Sequence, residues 1–99
     1  MDKNEAIELA KAYKQLVSRH FDVKDTILYG SYSNGTQTEE SDIDIAVIVD
    51  ELKGNYFDYA PLLWKLKRQV SNFIEPVLIC QNDDKLNFLA EIKRSGISV

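Results

Sequence analysis

Two aspartates separated by one residue begin the most hydrophobic segment of the chain. Asp42 and Asp44 open the run DIDIAVIV (42–49). Because residues i and i+2 of a β-strand point to the same side, a strand here would place both carboxylates side by side. Such a pair repels unless a cation lies beside it, and carboxylate oxygens select Mg²⁺ when phosphates are present. Taken alone, however, Asp-x-Asp is a common tripeptide, and a solvated strand end is its better interpretation.

A glycine and a serine end the preceding hydrophobic run. TILY (26–29) is rich in β-branched and aromatic residues and stops at Gly30 and Ser31. Glycine would let the backbone approach a ligand closely, and a helical turn beginning at Ser31 would offer free N–H groups and a hydroxyl to an anion. The alternative is a plain turn. A phosphate-binding loop after one strand, next to a carboxylate pair on the following strand, makes metal–triphosphate binding the better interpretation of the two motifs together.

Hydrophobic periodicity predicts the elements that position these motifs. Residues 3–19 have the three-and-four spacing of a helix with one buried face, and Asp2 and Glu5 are spaced as in a capping box. A break is expected at KGN (53–55). The other predicted elements are strands at 26–29, 42–49 and 73–80, a loop at 30–41, helices at 58–72 and 84–94, and an extended end at 97–99.

Turn and cap residues set the predicted ends of these elements. Pro76 cannot donate to a ladder, so its strand is expected either to be at an edge or to lack one hydrogen bond. Pro61 is expected in the first turn of its helix, where proline is tolerated. The expected caps are Asp58 for the second helix, Asn82 or Asp83 for the start of the last helix, and Gly96 for its end.

Composition and element order indicate one small soluble α/β (α+β) domain over residues 1–99. We expect a mixed sheet of three to four strands with helices packed mainly on one face. The chain is 44% hydrophobic and 28% charged, with no run long enough to span a membrane and no signal peptide. Its single cysteine, Cys80, fits a reducing compartment, so a cytoplasmic location is expected. A net charge of −4 argues against direct nucleic-acid binding.

The spacing of the two motifs matches a known family. GSYSNGTQTEESDIDIAVIV (30–49) resembles the signature of the nucleotidyltransferase superfamily related to DNA polymerase beta, in which Gly-Ser is followed after some ten residues by Asp-hydrophobic-Asp. The chain length, the N-terminal helix and FLAEIKRSGI (88–97) resemble the minimal nucleotidyltransferase (MNT) branch. That branch often occurs as the antitoxin of HEPN/MNT toxin–antitoxin systems. The resemblance therefore implies a nucleotidyltransferase fold.

The resemblance also implies roles for individual residues. The implied reaction is in-line attack by an acceptor hydroxyl on the α-phosphate of ATP, with pyrophosphate leaving and two Mg²⁺ ions bound. Family members frequently have Ala and Arg where this chain has Ser33 and Asn34, and their third acid is more often Asp than Glu. The implied residues are Gly30, Ser31 and Asn34 for the nucleotide, and Asp42, Asp44 and Glu75 for catalysis and metal binding.

Several functions remain open at this point. The chain could transfer AMP from ATP to a tyrosine of a partner HEPN toxin, or it could be a catalytically degenerate antitoxin that neutralises its toxin by binding only. A small-molecule modifier like the aminoglycoside nucleotidyltransferases is a third function, although those enzymes normally need further domains. A homo- or hetero-oligomer is possible. The aromatic residues of the second helix fit core packing and a partner-binding surface equally well: Tyr56, Phe57, Tyr59 and Trp64.

Overall fold

A four-stranded mixed sheet forms the centre of the molecule, in the strand order β3-β2-β1-β4. The computed structural model describes residues 1–51, 56–83 and 87–99. In these ranges no helix is long and apolar enough to cross a membrane. The elements are α1 (Lys3–Val17), β1 (Asp25–Tyr29), α2 (Ser31–Asn34), β2 (Ile43–Val49), α3 (Tyr56–Lys67), β3 (Ile74–Cys80), a 3₁₀ turn (Gln81–Asp83), α4 (Phe88–Ser95) and β4 (Ile97–Ser98).

Helix α1 begins at the predicted cap and packs on the sheet through one face. The Asp2 carboxylate accepts a hydrogen bond from the Glu5 N–H at 2.8 Å, so the amide half of the predicted capping box is present. The Tyr13 hydroxyl is buried and donates to the Leu63 carbonyl at 2.8 Å, which fixes α1 against α3. The fully buried residues of α1 follow the spacing read from the sequence: Ala6, Ala10, Tyr13 and Val17.

Strand β2 is one of the two inner strands and is buried on both sides beyond its first two residues. It pairs antiparallel with β1 and parallel with β3. The predicted mixed sheet is therefore confirmed, with α1 and α3 on one face and α4 on the other. The side chains of β2 divide between two clusters, with Ile43, Ile45, Val47 and Val49 facing α1 and α3, and Ala46 and Ile48 facing the buried residues of α4.

Strand β3 is an edge strand, which explains how it tolerates proline. The Ile43 N–H donates to the Phe73 carbonyl at 2.8 Å, and Ile43 is in register with Ile74. In a parallel ladder this bond assigns the odd-numbered residues of β3 to hydrogen bonds with β2. Pro76 then has its nitrogen on the outer edge, where no ladder donor is needed. Of the two predicted outcomes for Pro76, the edge position is the one observed.

Several predicted boundaries are wrong. Helix α3 begins at Tyr56, so Asp58 lies inside its first turn instead of capping it, and Pro61 falls in its second turn. Pro61 is nevertheless exposed, so the ring projects into solvent. Helix α1 ends at Val17, two residues early, because the chain turns there. The segments 53–55 and 84–86, a predicted break and helix start, lie outside the described residues.

The last helix differs most from its prediction. It begins at Phe88 with Asn87 as its cap, and Asn87 has a left-handed backbone with φ 54°. Asn82 and Asp83 do not cap it, because they form the preceding 3₁₀ turn. The predicted stop at Gly96 is confirmed, since its N–H donates to the Ile92 carbonyl at 2.7 Å.

Candidate active site

The turn after β1 is built around a glycine that no other residue could replace without movement. Gly30 has φ 75° and ψ −144°, a backbone conformation that L side chains rarely adopt. A Cβ atom at this position would overlap Oδ2 of Asp44 and lie 3.3 Å from its Cγ. The missing side chain of Gly30 therefore leaves room for the Asp44 carboxylate, and the two sequence motifs meet at this contact.

A helical turn follows directly, as the anion-binding interpretation required. The backbone N–H groups of Ser33 and Asn34 donate to the Gly30 carbonyl at 3.2 and 3.0 Å. The amides of Ser31 and Tyr32 come earlier, in the part of a helix where N–H groups have no intrahelical acceptor. Tyr32 is fully buried and holds the turn against the core. Ser31 is half-buried and directly follows Gly30.

Sheet register brings acids from two strands onto the face that α4 covers. The Cα atom of Asp44 is in register with Tyr29 on β1 and with Glu75 on β3. Residues in register across neighbouring strands have side chains on the same face, and Asp42 precedes Asp44 by two positions. Asp44 is half-buried, whereas Asp42 and Glu75 are exposed. The structure thus gathers Gly30 and three acids at one end of the sheet.

Within residues 1–51, 56–83 and 87–99, no ion pair with a basic side chain neutralises the negative charge of this cluster. Burial, followed by the charges of Glu75 and Asp42, raises the pKa of the Asp44 carboxyl. Within the described ranges, the ion pairs of lysine side chains involve Glu8, Asp22 and Asp50, and none reaches the cluster. A divalent cation would relieve this repulsion, so the donor set fits one.

The acids do not enclose an ion by themselves. Among residues 1–51, 56–83 and 87–99, no three His, Cys, Asp or Glu side chains stand close enough together to hold a metal ion. Mg²⁺ commonly takes one or two protein carboxylates and completes its octahedron with water and substrate phosphates. The arrangement at Asp42 and Asp44 therefore suits an ion that arrives with a nucleotide better than a permanently bound structural metal.

Comparison with known proteins agrees with this geometry. The family described as "Polymerase beta, Nucleotidyltransferase" matches residues 11–99. The chain belongs to this family. It is 36% identical over 75 residues to a "Putative protein adenylyltransferase" of Methanocaldococcus jannaschii, an alignment that covers 76% of this chain and 68% of the relative. It is also 31% identical over 102 residues to a second protein of that description from the same organism, covering 96% of this chain and 99% of the relative.

The nucleotidyltransferase fold is also seen in a solved structure. A crystal structure of a "putative nucleotidyltransferase" from Sulfolobus solfataricus superposes with a TM-score of 0.72 at 19% sequence identity. The superposition covers 97% of this chain and 80% of that one. At this identity the similarity shows a shared fold, and it confirms the fold class expected from the sequence.

The remaining predicted nucleotide-binding residue, Asn34, lies one helical turn after Ser31. The side chain of Asn34 is exposed at the end of α2, the opposite end from the amide of Ser31. Its backbone N–H is already bonded to the Gly30 carbonyl. The structure therefore brings together Gly30, Ser31 and the three acids, and a role of the Asn34 side chain in binding the nucleotide stays a prediction.

Sequence reasoning missed one residue of the same face, Tyr29. Its ring is half-buried and packs against the cluster of buried residues beneath α4. Burial, followed by the charges of Asp44 and Glu75, raises its pKa, so the phenol lies within electrostatic reach of both acids. The sequence feature that could have pointed to Tyr29 as a site residue was its position directly before Gly30. What the sequence did not provide was the register that pairs Tyr29 with Asp44.

Proposed function

We propose that this chain is a Mg²⁺-dependent adenylyltransferase that transfers AMP from ATP to a tyrosine hydroxyl of a partner protein, a HEPN-type toxin. The observation that carries the proposal is the register that aligns Asp44 with Glu75, beside a glycine whose missing Cβ makes room for the Asp44 carboxylate. The names of the two relatives support AMP as the transferred group and a protein as the acceptor.

The turn at Gly30 supplies the nucleotide contacts in this proposal. The amide and hydroxyl of Ser31 donate to phosphate oxygens, and the partial positive charge of the α2 N-terminus favours the anion. Gly30 brings the backbone close to the carboxylates, so the same triphosphate can reach both. Asn34, one helical turn after Ser31, offers an exposed side-chain amide as a further donor.

In this proposal the carboxylates would bind the metal, and one of them would accept the proton of the acceptor hydroxyl. Asp42 and Asp44 would hold the Mg²⁺ ion that arrives with the nucleotide, and Glu75 would contact the second of the two proposed ions. When bound, Mg²⁺ would neutralise charge on the attacking and leaving oxygens. The acceptor oxygen forms a bond to the α-phosphorus while the bond to the pyrophosphate oxygen breaks. The Glu75 carboxylate accepts the proton that the hydroxyl loses. The chain's own work is thus to position the reactants and to remove one proton.

The position of Glu75 suits a large acceptor. Glu75 is exposed and lies on the edge strand, whereas Gly30 and Ser31 lie on the side of β1. The nucleotide and the acceptor can therefore approach from different sides of β2. A protein surface needs such open access, which a tyrosine side chain projecting from a toxin would use.

The experiment is transfer of label from α-labelled ATP to the cognate HEPN toxin. We expect labelling that requires Mg²⁺ and disappears when the modified tyrosine of the toxin is replaced by phenylalanine. Asp42→Asn should abolish labelling, and Glu8→Gln, an exposed acid on α1, serves as the matched control. A chain that binds the toxin tightly but transfers no label would instead be a degenerate antitoxin acting by binding alone.

A further inference from the structure

Two aromatic rings form a right-angled corner on the face that carries the acids. The rings of Tyr29 and Phe88 meet edge to face, with centroids 6.1 Å apart and an interplanar angle of 87°. Tyr29 immediately precedes Gly30, and Phe88 is the first residue of α4. Phe88 is 39% exposed although its neighbour Leu89 is buried. Phe88 is therefore partly accessible to solvent at this corner, and Tyr29 is in register with Asp44.

The shape of this corner suits a flat aromatic ligand. A planar ring that stacks on one wall meets the other wall with its edge, and both offset-stacked and edge-to-face contacts between aromatic rings are favourable. The carboxylates of Asp44 and Glu75, which are in register with Tyr29 across the sheet, make the corner unfavourable for an anion. An uncharged, flat group is the ligand that this chemistry selects.

A nucleotide has such a group at one end and phosphates at the other. Gly30 and Ser31, the proposed triphosphate contacts, directly follow Tyr29 in the chain. A triphosphate at Ser31 that reaches Asp44 thus continues toward the corner on the same face of the sheet. The uncharged part of the ligand meets the aromatic rings, and the charged part meets the amides and the metal.

We propose that Tyr29 and Phe88 form the binding site for the purine ring of the nucleotide. The inference rests on the proposed function only in taking a purine nucleoside triphosphate as the substrate. Phe88 supplies the exposed wall, and Tyr29 supplies the wall that is anchored in the sheet. Both residues contact substrate away from the reacting atoms, so their role is in binding and in the choice of base.

The test is calorimetric titration with MgATP and with magnesium tripolyphosphate, which lacks ribose and base. We expect Phe88→Leu to weaken MgATP binding at least about 5-fold, the lower end for loss of one base–aromatic stack, and to leave tripolyphosphate binding unchanged. Trp64→Leu is the matched control. Trp64 is 43% exposed, but it lies on α3, on the opposite face of the sheet, so both affinities should be unchanged.

Two results would contradict the proposal that Tyr29 and Phe88 bind the purine ring. One is MgATP affinity within twofold of the wild type in a Phe88→Leu protein that melts cooperatively, and the other is an equal loss of MgATP and tripolyphosphate binding. Should the variant not fold, the wild type alone decides: it should bind MgATP at least about 5-fold more tightly than ribose 5-triphosphate, and equal affinity excludes a base contact. If the wild type passes these tests but transfers no AMP, the base-binding site is supported and the proposed reaction is contradicted.

Discussion

At the scale of single residues, the half-buried carboxylate of Asp44 carries a charge that opposes folding. Its pKa is raised above the ordinary value of 3.8, so between the two pKa values the folded chain holds a proton that the unfolded chain releases. Its contribution to stability is therefore fully present below about pH 4 and is lost as the pH rises through the raised pKa. Without metal, Asp44→Asn should be more stable than the wild type at pH 7.

We expect that gain to stay below about 1 kcal/mol, because partly exposed charges are screened by solvent. Urea denaturation at pH 7 and at pH 3.5 measures it, and the difference between the two proteins should shrink at the lower pH. A gain of equal size at both pH values would show that lost repulsion is not its cause.

The two glycines of the α2 turn allow a matched comparison. Gly30 and Gly35 both have positive φ, at 75° and 76°, but a Cβ at Gly35 would meet nothing within 4 Å. Gly35→Ala should cost only backbone strain, on the order of 1–2 kcal/mol, and should retain MgATP binding. Gly30→Ala adds an overlap with the Asp44 carboxylate and should abolish that binding. Calorimetric titration of both variants checks this, and equal affinities would mean that Gly30 serves only the turn.

Glu75 is the residue whose proposed role can be separated from nucleotide binding. If it accepts the proton of the acceptor hydroxyl, Glu75→Gln should slow AMP transfer by roughly 100-fold or more. The MgATP affinity should change far less, because Asp42 and Asp44 remain. Rate measurements with labelled ATP, run beside calorimetry on the same variant, distinguish the two. Transfer at the wild-type rate would reduce Glu75 to an exposed acid on an edge strand.

At the scale of elements, the connection between α4 and β4 depends on one small residue. A Cβ at Gly96 would collide with the side chain of Ile27 and the carbonyl of Ile92, and would lie 3.2 Å from the carbonyl of Leu28. Gly96→Ala should therefore lower the free energy of unfolding by about 1–3 kcal/mol, the usual cost of overpacking. Ser95→Ala, at the exposed preceding residue, is the control. Thermal and urea denaturation measure both, and equal stabilities would show that the chain accommodates the methyl group freely.

Sequence pattern predicted elements well where one physical signal dominated. The periodicity of α1 and the apolar run of β2 are strong local signals, and both elements are observed within about two residues of their predicted bounds. The start of α4 was wrong because several Asn or Asp residues precede it, and the sequence does not show that Asn87, rather than Asn82 or Asp83, adopts the left-handed backbone that begins the helix. The position of Tyr29 beside Asp44 depends on strand register, and neither residue specifies that pairing locally.

At the scale of the whole molecule, ligand binding should stabilise the fold. A ligand that binds only the native state adds about 2.7 kcal/mol at a concentration 100 times its Kd. MgATP should therefore raise the melting temperature of the wild type, and removal of Mg²⁺ with a chelator should reverse most of the rise. Differential scanning calorimetry measures both, with Asp42→Asn/Asp44→Asn as the variant that should not respond. A metal-dependent rise in that double variant would contradict the assignment of these acids.

A single domain over residues 1–99 stays a prediction, which one cooperative transition in the same scans would support.

The parallel pairing of β2 with β3 also has a consequence for how the chain folds. Asp44 and Glu75 are distant in sequence and become neighbours only when the connection through α3 is complete. Parallel pairs form late, because the entropy of closing a long loop is lost before the contacts are gained. The repulsion between these acids is therefore absent from the early, local stages of folding and is met when the sheet closes. The residues that make the site chemically useful thus oppose the step that assembles it, and cations in the surrounding solution ease that step by screening their charge.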